Sequence, residues 1–378
     1  MKILHFFCSL PRMALEMLYR RPKQLFDLRN HKECYAGASY YPELPSRPVW
    51  KNYLFQVCQI LKYGRRNDYY FMYGLDVKSK KERKQYVNFK RFFDRIMRLN
   101  IGSNLNNSTC ILRNKLYFDI FAKGIGVNTP QIKAYYSQGS LFVWKNGFIK
   151  SDIEDLRGLG DGDLFCKEID GECGVGIFVL RIEDGRLFKN GQEITLQELL
   201  SCIWWVFGGG GGYLFQKVLE QHPKMSEIYS GSLNTIRLVT VRGLKDGQLH
   251  LMPSILRIGA NGSYVDNTSQ GGIAVGFDLE SGRLHQYGFQ KPKFGLRTEY
   301  HPNSNIRYAD FVIPFIKEAE ELALHFHSML KDIQSVGWDI AIGVDGPVFI
   351  EGNDNWEING PQVGNHGLRK EFEEYFYE

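Results

Sequence analysis

The chain has 378 residues, 43% hydrophobic and 24% charged, with a formal net charge of +5. That is enough for a large core and two or three subdomains, in a composition ordinary for a globular protein. No run of about 18 uninterrupted apolar residues exists, so no membrane-spanning helix is expected. The opening MKILHFFCSL is cut short by Pro11 and Arg12 and lacks a small-residue cleavage pattern, unlike a signal peptide. Seven scattered cysteines suit reduced thiols in a cytosolic protein better than a disulfide framework or a zinc site.

Residues 1–100 carry 21 Lys/Arg against 8 Asp/Glu, net +13, while the remainder is net −8. The basic residues interleave with aromatics, as in Tyr19-Arg20-Arg21-Pro22-Lys23 and Lys90-Arg91-Phe92-Phe93. Such a surface either attracts an anionic membrane or glycan or is a set of solvated helix faces. No nucleic-acid-binding motif accompanies it, so nucleic acid is not an expected partner. Residues 1–98 read as mainly helical, with Tyr86, Phe89, Phe93, Ile96 and Met97 on one stripe of a helix over Lys81–Leu99.

From about residue 100 the texture changes. Lys115–Gly124 predicts a helix leading into an edge strand near residue 131, followed by short strands over 141–143, 164–169, 177–182 and 213–218. A helix is expected over 197–206, and the five glycines Gly208–Gly212 form a flexible or tightly turned connector. Strands over 236–242, 249–258 and 272–278 and a helix over about 315–330 complete an α+β pattern of antiparallel sheets.

Within that pattern, Asp163–Leu180 places Lys167 at a strand end, then Gly171, Gly174 and Gly176, then a second strand. Glycines let backbone N–H groups approach phosphate oxygens, which a lysine neutralises. The spacing fits neither a Walker loop nor a dinucleotide fingerprint, and reads as a flap over phosphates or an ordinary hairpin turn. Tyr213–Pro223 is a strand running into a linker, where Gln216, Lys217 and Glu220 could offer backbone groups to adenine and a carboxylate to ribose hydroxyls.

The hairpin Trp338–Trp356 is the sharpest signal. A three-residue loop, Val344–Gly346, pairs Gly343 with Pro347 and Asp339 with Glu351. Asp339, Glu351 and Asn353 then share one face, and Ile340, Ile342, Val348 and Ile350 share the core face. A two-residue loop would instead set Asp339 opposite Ile350. Two carboxylates and an amide oxygen at neighbouring positions suit Mg²⁺.

These three pieces in this order resemble the ATP-grasp superfamily, which includes D-alanine–D-alanine ligase and glutathione synthetase. The closer resemblance is to the sugar-transfer-associated ATP-grasp family, which is alpha-L-glutamate ligase-like. It is carried by Ser232–Thr240 (SLNTIRLVT), Val265–Ile273 (VDNTSQGGI) and Asp345–Asn353 (DGPVFIEGN), and covers roughly residues 100–365. The resemblance implies two α+β subdomains gripping ATP, with divisions at 1–98, 99–215 and 216–378. It implies that Lys115, Lys167 and the Gly171–Gly176 loop meet the phosphates, that Gln216, Lys217 and Leu219 line the adenine site, and that Glu220 lies near the ribose. Asp339, Glu351 and Asn353 would hold Mg²⁺, and Arg237, Arg257 and Asn267 would stabilise the transferred phosphoryl group. Many members carry an arginine two residues before the first metal aspartate; here that residue is Gly337, which leaves Arg237 or Arg257 to replace it.

The function so implied is an ATP- and Mg²⁺-dependent carboxylate–amine ligase acting through an acyl phosphate in polysaccharide or sugar-conjugate synthesis. Its acceptor would be an amino-sugar or lipid-linked glycan, and its place the cytoplasm or the inner face of the membrane. Two alternatives stand beside it: an amino-acid or peptide ligase, and an inactive nucleotide-binding module of a glycan-assembly complex. Among the histidines, His222 and His301 are secondary site candidates, whereas His325 and His327 read as packing or surface residues.

Overall fold

The computed structural model describes residues 19–100, 108–171, 176–189, 191–207 and 212–378, the side chains of 204–207 excepted. The chain opens with helices α1 (Arg21–Asp27), α2 (Glu33–Ala36), α3 (Val49–Tyr63), α4 (Lys80–Arg83), α5 (Phe89–Asn100), α6 (Thr109–Arg113) and α7 (Lys115–Gly124). The continuous helix expected over Lys81–Leu99 is broken between α4 and α5. The backbone N–H of Val87 donates to Gln362 Oε1 at 2.7 Å and its carbonyl accepts from Gln362 Nε2, which diverts the chain. Asn88 then caps a new helix, its Oδ1 accepting from the N–H groups of Lys90 and Arg91. The fully buried face of α5 is therefore Phe92, Ile96 and Asn100, while Tyr86 stacks on Tyr73 in a separate cluster.

An eight-stranded sheet follows: β1 (Ile132–Ser137), β2 (Ser140–Trp144), β3 (Phe148–Ser151), β4 (Gly162–Glu168), β5 (Phe178–Glu183), β6 (Arg186–Lys189), β7 (Gln192–Ile194) and β8 (Tyr213–Lys217). Its order is β3-β2-β1-β8-β4-β5-β6-β7. β1 was expected at an edge and is interior: the tight Gln138-Gly139 turn, both residues at positive φ, lays β2 along its free side. Helix α8 (Leu196–Phe207) covers one face through Leu196, Leu199 and Ile203. Gly208–Gly211 lie outside the described residues. Gly212, at φ +110, enters β8 where an added Cβ would sit 2.6 Å from the Tyr136 carbonyl, so glycine is required there.

After α9 (Pro223–Ile228) comes a seven-stranded sheet: β9 (Thr235–Arg242), β10 (Leu249–Ile258), β11 (Ile273–Phe277), β12 (Leu284–Phe289), β13 (Arg297–Thr298), β14 (Ser335–Gly343) and β15 (Gly346–Asn353). Its order is β13-β12-β11-β10-β9-β14-β15, antiparallel throughout. Helix α10 (Ile316–Met329) precedes β14, and α11 (Asn359–Gly364) and α12 (Arg369–Tyr375) end the chain.

Alternation along these strands divides two kinds of surface. Ile236, Leu238, Trp338, Ile340, Ile342 and Phe349 pack against α10 and α7. On the opposite face Val239, Val241 and Met252 meet Phe92 and Ile96 of α5, Trp356, and Phe372 of α12. Helix α5 is thus seated on the second sheet.

The terminal hairpin pairs Asp339 with Glu351, as expected, by a different route. Gly343 pairs with Gly346, so the loop has two residues rather than three, and Gly346 adopts φ +126. A bulge at Ile350 then adds the residue that restores the Asp339–Glu351 pair, since Ile340 lies opposite Phe349. The core face accordingly holds Phe349. Val348 and Ile350, expected in the core, are half-buried, and Ile350 lines the cleft described below.

Candidate functional site

Register across the second sheet aligns the charged residues. Arg237 lies opposite Asp339, Asp339 opposite Glu351, and Arg257 opposite Thr235 two pairs along. The Asp339 carboxylate is buried. Arg237 Nε donates to its Oδ1 and Nη2 to its Oδ2 at 3.0 Å; Arg257 Nη2 lies 3.0 Å from the same Oδ2. Burial alone would raise the Asp339 carboxyl, but the two guanidiniums outweigh it and hold it below the usual carboxylate range. Arg257 also donates to Thr235 Oγ1 through Nε (3.0 Å) and Nη2 (2.6 Å). Asp266 Oδ2 accepts from the Thr235 N–H at 3.1 Å and from its hydroxyl, and lies 3.4 Å from Arg257 Nε.

The lysines come from the other side. Lys115 opens α7, whose cap is Asn114, and its Nζ donates to the Gly171 carbonyl and lies 3.9 Å from Glu351 Oε2. Lys167 on β4 is 5% exposed, and burial lowers its ammonium to about 8, with Lys115 adding to the effect and Glu351 opposing it. Gly171 stands where an added Cβ would fall 2.3 Å from Glu168 Oε2. Gly174 lies outside the described residues. Gly176, at φ +74, does not line the cleft. Gln216 and Lys217 end β8, and Leu219 and Glu220 form the crossing to the second sheet, where Gln221 bridges to Gly343.

Between the two sheets lies a cleft of about 1300 Å³. It brings together Lys115, Lys167, Gly171, Gln216, Lys217, Leu219, Glu220, Arg237, Arg257, Asn267, Asp339, Glu351 and Asn353. Asn267 turns its Oδ1 back to the Ser269 N–H, capping a turn at the rim. Gly337 has no room for a side chain: a Cβ there would sit 2.6 Å from Trp356 Cβ and 3.3 Å from Arg237 Cδ. Trp356 fills that space first, with Arg237 of the neighbouring strand beyond it. His301 is buried, with Nε2 on the Gly259 carbonyl at 2.9 Å, and His222 caps α9; neither lines the cleft, so both secondary candidates are structural.

Sequence reasoning missed Asp266 and Thr235. Thr235 lies two residues before Arg237 and so on its face, a signal that strand parity held. It also missed Tyr69, Met72 and Phe93, through which the first hundred residues wall the cleft. No local pattern pointed to them.

Among the described residues no three His, Cys, Asp or Glu side chains converge as a metal site. The remaining donor set is Asp339, Glu351 and Asn353. The Glu351 carboxyl lies within hydrogen-bonding reach of Asp339, and Asn353 Nδ2 reaches Glu351 Oε1 at 3.4 Å. Glu351 is half-buried and open to the cleft, whereas both Asp339 oxygens carry arginine contacts. Two adjoining carboxylates and an amide oxygen fit a hard divalent cation that keeps water and phosphate ligands.

A model of the sugar-transfer-associated ATP-grasp family matches residues 95–375, and the chain belongs to that family. No curated protein matches the sequence. Solved structures similar to part of the chain include D-alanine–D-alanine ligase from Helicobacter pylori, at 11% identity and TM-score 0.40, over 70% of this chain and 60% of that one. N5-carboxyaminoimidazole ribonucleotide synthetase from Thermus thermophilus is 15% identical with TM-score 0.33, over 65% and 45%. An L-amino acid ligase from Bacillus licheniformis is 11% identical with TM-score 0.37, over 70% and 48%. The chain therefore spans between 45% and 60% of the length of these structures.

Proposed function

We propose that the chain is an ATP- and Mg²⁺-dependent ligase that joins a carboxylate to an amine through an acyl phosphate. The observation that carries this is the meeting of Lys115 and Lys167 with Asp339, Glu351 and Asn353 across one cleft, bridged by the 3.9 Å approach of Lys115 to Glu351. ATP would lie with its base by Gln216–Leu219, its ribose near Glu220 and its phosphates between the lysines and the metal donors. Glu351 and Asn353, with one oxygen of Asp339, would hold Mg²⁺, which would offset charge on the β- and γ-phosphates. Lys115 and Lys167 neutralise phosphoryl oxygens, with Lys115 held by the Gly171 carbonyl. Arg237 and Arg257, fixed by Asp339, present guanidinium N–H groups to the oxygens of the transferring group; Asn267 stands at the rim beside them.

In the first step a carboxylate oxygen attacks the γ-phosphorus and ADP leaves. In the second an amine attacks the acyl carbon, phosphate leaves, and the amine gives up a proton. The three-part division at 1–98, 99–215 and 216–378 belongs to the same reading. So do a role in polysaccharide or sugar-conjugate synthesis, with an amino-sugar or lipid-linked glycan as acceptor, and a place in the cytoplasm or at its membrane face. These last rest on the family's association with sugar transfer.

The test is ADP release with Mg²⁺ against panels of carboxylates and amines. We expect release that needs both partners and vanishes in Glu351→Gln. Release that persists in Glu351→Gln, or that never depends on a carboxylate, contradicts the assignment.

A further inference from the structure

Helix α3 is built inside out. Its fully buried residues are Asn52, Gln56 and Ile60, and the first two are held by polar contacts. Asn52 Nδ2 donates to the Tyr35 carbonyl at 3.2 Å; Gln56 Nε2 donates to the Cys34 carbonyl at 2.7 Å, and its Oε1 accepts from the Asn67 N–H at 2.8 Å. The outward face carries Trp50, Leu54, Cys58 and Leu61, at intervals of four, four and three, which makes one stripe. Trp50 is 60% exposed, Leu54 50% and Leu61 52%. A globular helix normally turns such residues inward.

The stripe is rimmed with cations. Lys51 and Lys62 are exposed, with Lys51 Nζ 5.4 Å from the Trp50 ring and Lys62 Nζ 5.2 Å from the Tyr63 ring. Arg21 Nη1 donates to the Leu61 carbonyl at 2.7 Å and ties α1 alongside, which adds exposed Lys23 and Phe26, the latter 66% exposed. Residues 19–68 contain ten Lys/Arg and four Asp/Glu, net +6. Of the four acids, Glu43 is paired with Arg297 and Asp68 with Arg65 and Arg66.

We propose that this face of α3 and α1 docks on an anionic phospholipid surface, with Trp50, Leu54 and Leu61 entering the interface and the lysines meeting headgroups. An aromatic-anchored apolar stripe with a basic border is the chemistry of an interfacial helix. A second copy of the chain would bring the same positive charge against it, which disfavours self-association. The surface is independent of the ligase reading, since none of these residues lines the cleft.

The test uses the full chain and vesicles of phosphatidylcholine, with or without about 30% phosphatidylglycerol, at low and high salt. Sedimentation with the anionic vesicles alone is expected, weakened but not abolished by salt. Trp50→Glu with Leu61→Glu should weaken binding by roughly tenfold or more while the melting temperature stays close to that of the parent. A polarity-sensitive dye on Cys58 should shift to shorter wavelength with anionic vesicles, and that signal should be missing in labelled Cys58→Ser. The proposal is overturned if the parent chain ignores anionic vesicles, if the double variant binds equally well, or if the Cys58 dye does not respond. A concentration-dependent dimer broken by Trp50→Glu, without vesicle binding, assigns the face to a second copy instead.

Discussion

Asp339 carries two guanidiniums on one buried carboxylate, and that arrangement sets what substitution there does. Asp339→Ala leaves half-buried Arg237 without its carboxylate and Arg257 with Asp266 alone, so we expect a loss of about 3–5 kcal/mol in denaturant unfolding. Glu351, open to the cleft, should lose function when changed to Gln while stability moves by less than about 1 kcal/mol. Asp266, also on the cleft wall, holds Thr235 and Arg257 in place. Asp266→Asn is expected to lower kcat roughly 10–100-fold, with KM for ATP little changed, because Arg257 loses its orientation. Equal loss in both parameters would deny it that positioning role.

Lys167 gives a pH signature. Its folded value of about 8 lies below the ordinary 10.5, so between those values the folded chain binds fewer protons than the unfolded one. The stability penalty of burying the ammonium is therefore fully present below pH 8 and fades above it. Nucleotide binding would have the opposite sense, because the charge proposed to meet phosphate is lost as pH rises through about 8. Lys115, Glu351, Asp119 and Asp339 are the charged groups that act on it. ATP affinity of the unliganded protein should fall across that range, and Lys167→Arg should flatten the profile.

At the scale of elements, the terminal hairpin shows what a pattern of residues can and cannot specify. The Asp339–Glu351 pair was legible because acids and aliphatics alternate on both strands. The loop was not, because Val344-Asp345-Gly346 admits two turns and the bulge at Ile350 compensates for the shorter one. The departure at Gly337 became intelligible only with Trp356 and Arg237 beside it, which leave no room for a side chain there. Restoring an arginine as Gly337→Arg should thus cost about 1–3 kcal/mol through its clash with Trp356, without raising activity. The split of α4 from α5 was equally hidden, because Gln362, which diverts the chain at Val87, lies 275 residues away.

For the whole molecule, the first hundred residues prove to be structural as well as basic. Phe92 and Ile96 share a core with Val239, Val241, Met252 and Trp356, and Tyr40 lies against Phe289 with its hydroxyl on the Gln290 carbonyl at 2.6 Å. Phe92→Ala should destabilise by about 3–5 kcal/mol. The tyrosine-rich run 69–73 gave no sign of this in the sequence, since Tyr73 meets Asn359 and Gln362 and the cluster closes on Phe289 and Val363, all far along the chain. The cleft that these parts enclose is put to the test by calorimetric titration of ATP with and without Mg²⁺. Binding that requires Mg²⁺ in the parent chain and is lost in both Glu351→Gln and Lys167→Ala is the predicted result. Binding indifferent to the metal and to both substitutions would contradict it.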